Sequence, residues 1–166
     1  MKRRKLKVKS KRLEVKIKKN KIHFYKQWEI DSLTSPAIQL PERIEFEIKQ
    51  VVAVAFREDG SNSSYEISVI LTTDDYITKL NKEYLNINQP TDVLCFPYST
   101  GKHFQAEIYI SLHRASEQSR KFNHTLKQEI LFLVLHGLLH LFGFKDNTEV
   151  DRKKMWTKQE QLLNVV

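Results

Sequence analysis

His136 and His140 stand four residues apart, and Asp146 follows just beyond Gly143. On a helix, positions i and i+4 project from one face with their Cβ atoms about 5–6 Å apart. Both rings can then reach a single zinc ion at ~2.0–2.1 Å. Gly143 turns the chain so that Asp146 can return as a third ligand. Two histidines and a carboxylate, with a fourth position open to water, form the donor set of a catalytic zinc site. The residue after His136 is Gly137, not the glutamate of an H-E-x-x-H metalloprotease, which counts against a peptidase. One histidine on an apolar helix is ordinarily a hydrogen-bonded core residue; two at this spacing, with a carboxylate past the helix end, point to metal. Glu149 and Asp151, one helical turn on, stand as alternative third ligands.

The helix carrying the histidine pair opens at Thr125 as its cap. It holds Ile130, Leu131, Leu133, Val134, Leu135, Leu138 and Leu139, apolar almost all round, which places it centrally. Gly137 lets another segment approach it closely, and Gly143 ends it. Upstream, Leu40-Pro41-Glu42 reads as a helix start, with apolar spacing from Ile44 to Phe56. Tyr65–Leu71 alternates as a strand, and Thr73 caps a helix bearing Ile77, Leu80 and Tyr84. Val93–Phe96 reads as a short strand stopped at Pro97, and Ala106–Ser111 as another. A helix is expected over His113–Phe122 and a last one from Thr148 to about Leu163, with Met155 and Trp156 in the core. Residues 22–39 read as irregular or partly extended, with Ile22, Phe24 and Trp28 available to the core. The expected architecture is α+β: a single layer structure with a small mixed sheet of about four strands, about five helices, and the metal site at the end of a central helix.

The 166 residues suit one domain, and 40% apolar with 29% charged residues is a globular balance. The longest apolar run, near Leu131–Phe144, is interrupted by both histidines and falls short of the ~20 residues a membrane span needs. No apolar segment follows the basic start, so no signal peptide is expected. The single cysteine, Cys95, forbids an internal disulfide and suits a reducing, cytoplasmic location; it lies in an apolar run and reads as packed. The net charge of +8 is uneven: residues 1–21 hold 12 of the 28 lysines and arginines against Glu14 alone, so the remainder is net negative. Residues 1–21 are therefore read as a flexible basic tail suited to a polyanion such as nucleic acid, or as a solubilising extension, and residues 22–166 as the domain. Alternation of Leu13, Val15 and Ile17 with charged residues also permits a short strand within the tail.

Three blocks in order carry a family resemblance. His136-Gly-Leu-Leu-His-Leu-Phe-Gly-Phe-Lys-Asp146 resembles the signature H-G-x-L-H-L-x-G-Y-D-H of the YbeY family, metal-dependent endoribonucleases that mature ribosomal RNA. Leu80-Asn81 followed by Pro90-Thr91-Asp92-Val93-Leu94-Cys95-Phe96-Pro97 is similar to the family's L-N…P-T-D-V-L-S-F-P. Ala106-Glu107-Ile108-Tyr109-Ile110-Ser111 is similar to its G-D-I-x-I-S strand. The resemblance spans roughly residues 22–166. It implies one zinc ion per chain on His136, His140 and Asp146, with an ion-activated water attacking a phosphodiester. It also implies a single-stranded RNA substrate, ribosomal RNA, met at the small ribosomal subunit.

The departures have consequences. The family's third histidine falls on Asp146, its arginine after L-N on Leu85, its G-D on Ala106-Glu107 and its serine before F-P on Cys95. A carboxylate ligand lowers the formal charge of ion plus ligands from +2 to +1, so the bound water should be less acidic. Leu85 removes a bidentate phosphate clamp, which the basic tail can replace for binding though not as a positioned charge. Glu107 is the candidate groove carboxylate and possible base beside His136 and His140, or else an ordinary surface strand residue. Asn81, Thr91, Asp92 and His103 are candidate substrate contacts. For Thr91 and Asp92 the alternative is a turn or cap, and for His103 a solvated loop position. His23, His113 and His124 have no partner at ligand spacing. The second reading is a non-catalytic ribosome-assembly or RNA-binding factor with a structural metal.

Overall fold

A computed structural model of the chain describes residues 13–17, 20–27, 38–60 and 62–165. Five strands and five helices lie among the described residues: β1 (Leu13–Ile17), β2 (Asn20–Gln27), α1 (Ile44–Glu58), β3 (Ser64–Thr72), α2 (Asp74–Leu85), β4 (Val93–Ser99), β5 (His103–Ser111), α3 (Leu112–Lys121), α4 (Leu126–Leu141) and α5 (Glu149–Leu163). The strands form one mixed sheet in the order β1-β2-β3-β5-β4. β2, β3 and β5 run parallel, while β1 and β4 pair antiparallel at the two edges. The α+β architecture agrees with the expectation. The fifth strand is β1, which falls within residues 1–21; residues 1–12 and Trp28 lie outside the described residues.

Alternation along the strands divides the sheet into two faces. Ile22 and Phe24 of β2, Tyr65, Ile67, Val69 and Leu71 of β3, and Phe104, Ala106, Ile108 and Ile110 of β5 face the main core, under α1 and α4. Ile70, Leu94 and Tyr109 face the other way and pack with Ile77 and Leu80 of α2. Being covered on both sides explains why β3 and β5 end in nearly continuous apolar runs, as buried parallel strands do.

α4 is the axis of the molecule, packed against α1, α3, α5, β4 and β5. Its start is fixed by a reciprocal capping box: the Thr125 hydroxyl accepts from the Gln128 N–H at 3.2 Å, and the Gln128 side chain accepts from the Thr125 N–H at 2.9 Å. A Cβ on Gly137 would sit 3.1 Å from Ile108 Cγ2, so this glycine is where α4 lies down on β5.

Several local expectations are corrected. α1 begins at Ile44, because Arg43 adopts a left-handed conformation (φ 60°) that breaks any helix begun at Pro41. β2 occupies Asn20–Gln27, so the start of residues 22–39, expected to be irregular or partly extended, is a regular strand. β4 runs through Pro97 because it is an edge strand, where a missing N–H costs no ladder bond; the register slips between Pro97 and Ser99. β5 starts at His103, so that residue belongs to the strand. Met155 is buried, whereas Trp156 is 42% exposed.

Candidate metal centre

The last two turns of α4 present His136 and His140, and the turn after it returns Asp146. Gly143 (φ 92°) makes that return possible, since a side chain there would be strained. Phe144 N–H closes onto the Leu139 carbonyl at 2.9 Å. Arg152, in the first turn of α5, donates to the carbonyls of Asp146 and Asn147 at 3.2 and 3.5 Å and so holds the returning segment in place.

Nε2 of His136 and Nε2 of His140 are 3.1 Å apart, and Asp146 Oδ2 lies 3.8 and 3.6 Å from them. Donors bonded tetrahedrally to zinc at ~2.0–2.1 Å stand about 3.3 Å from one another. The three observed separations fall around that value, and the ligand atoms all lie within 4.8 Å of one another. The rings are nearly perpendicular (84°), so the nitrogens converge without the planes stacking.

Second partners decide which nitrogen is free. His140 Nδ1 lies 3.1 Å from the Phe144 carbonyl, which can only accept; Nδ1 therefore carries the proton and Nε2 a lone pair. The side chain of Gln159 neighbours His136 and favours its protonated ring. The Gln159 amide nitrogen is committed to the Phe132 carbonyl at 3.1 Å. His140 thus turns an unprotonated Nε2 toward His136 Nε2. Burial, and then the neighbouring His140, lower the His136 pKa against the opposing pull of Asp92, Asp146 and Gln159, which further favours the neutral ligand form.

The three groups are open to solvent, at 27%, 36% and 41% side-chain exposure. The histidines thus occupy the outer face of α4's end, partly buried and partly open to solvent. His136 and Asp146 form part of the wall of a cavity of about 270 Å³ between α3, α4 and α5.

The family model for Endoribonuclease YbeY matches residues 29–166. The chain belongs to the YbeY family. It is 34% identical over 144 residues to Endoribonuclease YbeY of Bacillus licheniformis, covering 80% of this chain and 91% of that protein. Endoribonuclease YbeY of Acholeplasma laidlawii is 39% identical over 124 residues, with 74% and 88% covered. The solution structure of TM1509 from Thermotoga maritima superposes with a TM-score of 0.54 at 28% identity, covering 76% of this chain and 83% of that one.

Placed against this YbeY fold, the expected site residues separate. Asp92 lines the same cavity as His136, with Oδ1 accepting from Val93 N–H at 2.8 Å and Oδ2 from Gln118 at 2.9 Å. Thr91 is beside it, its hydroxyl on Asp92 at 3.2 Å. Asn81 is buried and donates to the Gln89 carbonyl at 2.7 Å, bracing the loop that leads to Asp92. His103 lies at the start of β5, bonded to Ser64 at 2.8 Å, and is not part of the cavity wall. Glu107 is the clearest correction. Ile108 faces α4, so Glu107 projects from the opposite face of the sheet, where it accepts from Tyr98 at 2.7 Å and Tyr109 at 3.0 Å. The sheet itself separates it from the histidine pair. Leu85 ends α2 and is 54% exposed.

Gln159, Gln118, His124 and Glu129 were not singled out by the sequence. Gln159 carried a signal: a polar side chain on the buried stripe of α5, four residues after Met155 and three before Leu162. His124 pairs with Glu129 at 3.2 Å, and His23 is buried beside Glu66 at 3.3 Å. Burial pushes the Cys95 thiol up to about 11, the behaviour of a packed cysteine.

Proposed function

We propose that this protein is a zinc-dependent, single-strand-specific endoribonuclease acting in the cytoplasm on ribosomal RNA of the small subunit. The convergence of two imidazole Nε2 atoms and one carboxylate at the edge of an open cavity carries this reading. His136, His140 and Asp146 would hold one ion; when bound, it supplies Lewis-acid stabilisation of phosphoryl charge and makes water acidic enough to serve as nucleophile at neutral pH. The chain's own residues do the rest. The Phe144 carbonyl fixes His140 in the ligand tautomer, and Gln159 would do the same for His136. Among the described residues, Arg152 is the only lysine or arginine on the cavity wall, and it offers a cation to the RNA backbone. The wall's position between three helices suits an unpaired strand better than a rigid duplex.

The decisive experiment is cleavage of single-stranded and duplex RNA by the purified protein. Cutting of the single strand alone, abolished by chelator and restored by zinc, upholds the reading; cutting that survives chelation overturns it. One observation favours a second reading, a ribosome-assembly factor with a structural metal: Leu85, exposed and uncharged, stands where the family places an arginine. That reading requires RNA binding without cleavage, together with unfolding when the ion is removed.

A further inference from the structure

The cavity beside the metal centre has two unlike ends, and two helix pairs create them. On α4, Phe132 and His136 are four residues apart; on α5, Trp156 and Arg152 are four residues apart, and each pair therefore shares a helix face. Phe132 and Trp156 meet with ring centroids at 4.7 Å. At the other end, His136 and Arg152 both reach Asp146, one through its carboxylate and one through its carbonyl. The polar partners are together and the aromatic partners are together. Phe122 completes the aromatic end, 6.5 Å from Trp156 and edge-on to it. Phe122 and Trp156 are both substantially exposed, which is unusual for large rings with a packed core available beside them. All six of these residues border the same cavity.

A nucleotide has the same polarity, with a charged phosphate at one end and an apolar, planar base at the other. We propose that Trp156, with Phe122 and Phe132, forms a stacking site for an unpaired base of the RNA strand whose phosphate lies at Arg152 and the metal centre. This rests on the functional reading above and adds the means of gripping the substrate. Stacking is tolerant of base identity because every base has a π face. A duplex cannot use the site, since its bases are already stacked and paired, so the shelf selects single strands directly.

The chain has two tryptophans, Trp28 and Trp156, so a Trp28→Phe protein reports from Trp156 alone. The full-length protein is mixed with oligoadenylate of about ten nucleotides, or with an abasic ribose-phosphate strand of the same length, and emission is read in the first seconds. Quenching by the oligoadenylate and not by the abasic strand is expected. By anisotropy, Trp156→Ala should bind the oligoadenylate roughly tenfold more weakly, with Trp156→Phe retaining most of the affinity and both variants keeping wild-type metal content. Equal quenching by both strands, or equal binding by wild type and Trp156→Ala, overturns the proposal. So does emission that shifts with protein concentration but not with RNA, which would mark the patch as an interface between copies. If Trp156→Ala fails to fold, Phe122→Ala takes its place. RNA cleavage is scored separately: cutting without base-dependent quenching removes only the stacking site, and base-dependent quenching without cutting removes only the catalytic reading.

Discussion

His136 Nε2 and His140 Nε2 stand 3.1 Å apart, and His140 presents a lone pair there because its Nδ1 proton goes to the Phe144 carbonyl. With Asp146 Oδ2 at 3.8 and 3.6 Å from them, the two nitrogens have the spacing of donors around one zinc ion. His136→Ala or His140→Ala should therefore reduce bound zinc from about one per chain to a small fraction, measured by elemental analysis of protein purified without added metal. Asp146→His should keep the metal and raise RNA cleavage, because it restores the higher net charge of a three-histidine site. Loss of metal in Asp146→His would show that the aspartate's reach cannot be met by a longer ring.

Gln159 is only 2% exposed, and its amide is oriented by the Phe132 carbonyl. Partners of this kind typically contribute 10–100-fold in metal affinity. Gln159→Leu keeps the approximate volume and removes the acceptor, so zinc affinity should fall roughly tenfold or more in a chelator competition. Gln159→Glu, still an acceptor, should recover most of that loss. Equal affinities in all three proteins would make Gln159 a packing residue only.

What the sequence made legible was whatever is local to one element. The spacing of His136 and His140, the cap at Thr125, the close approach at Gly137 and the turn at Gly143 all depend on neighbours a few residues away. What it hid depends on how elements meet. Alternation along β5 puts Glu107 and Ile108 on opposite faces, but only the seating of α4 on Ile108 determines that Glu107 is the one excluded. Gln159 and Trp156 are likewise ordinary members of α5 until that helix is laid against α4. Pro97 was read as a strand terminator because edge position is a property of the sheet, not of the strand.

At Gly137, two opposing effects can be weighed. Alanine would gain up to about 1 kcal/mol in helix propensity. Its Cβ would also sit 3.1 Å from a β-branched methyl held on a buried strand, and overpacking of that kind costs about 1–3 kcal/mol. Gly137→Ala should thus be destabilising by about 1 kcal/mol in urea unfolding. A more stable variant would mean that β5 yields at Ile108.

Glu129 is buried, and desolvation raises its carboxyl pKa, opposed by the hydrogen bond and charge of His124. The folded protein therefore holds this proton at pH values where the unfolded chain has released it. Stability from this group is full below the ordinary glutamate pKa and falls as pH rises through the raised one. Glu129→Gln removes that loss while keeping an acceptor for His124. Its melting temperature should match wild type near about pH 4 and exceed it at about pH 8; parallel curves would place the proton elsewhere.

The basic segment can be tested without disturbing the sheet. β1 pairs with β2 from Leu13↔Phe24 to Ile17↔Asn20, so deleting residues 1–21 would remove an edge strand together with the charge. Deleting residues 1–12 removes Lys2, Arg3, Arg4, Lys5, Lys7, Lys9, Lys11 and Arg12 and leaves every described strand intact. Each phosphate these side chains neutralise on a single strand contributes about 0.7 to the slope of log K against log salt. The truncated protein should bind single-stranded RNA more weakly at low salt, with a flatter slope, while the rate of cleavage at saturating RNA is retained, because the ligand set and Arg152 are untouched. An unchanged slope would mean that these residues do not meet the RNA, leaving Arg152 as the cation on the cavity wall available to hold the backbone.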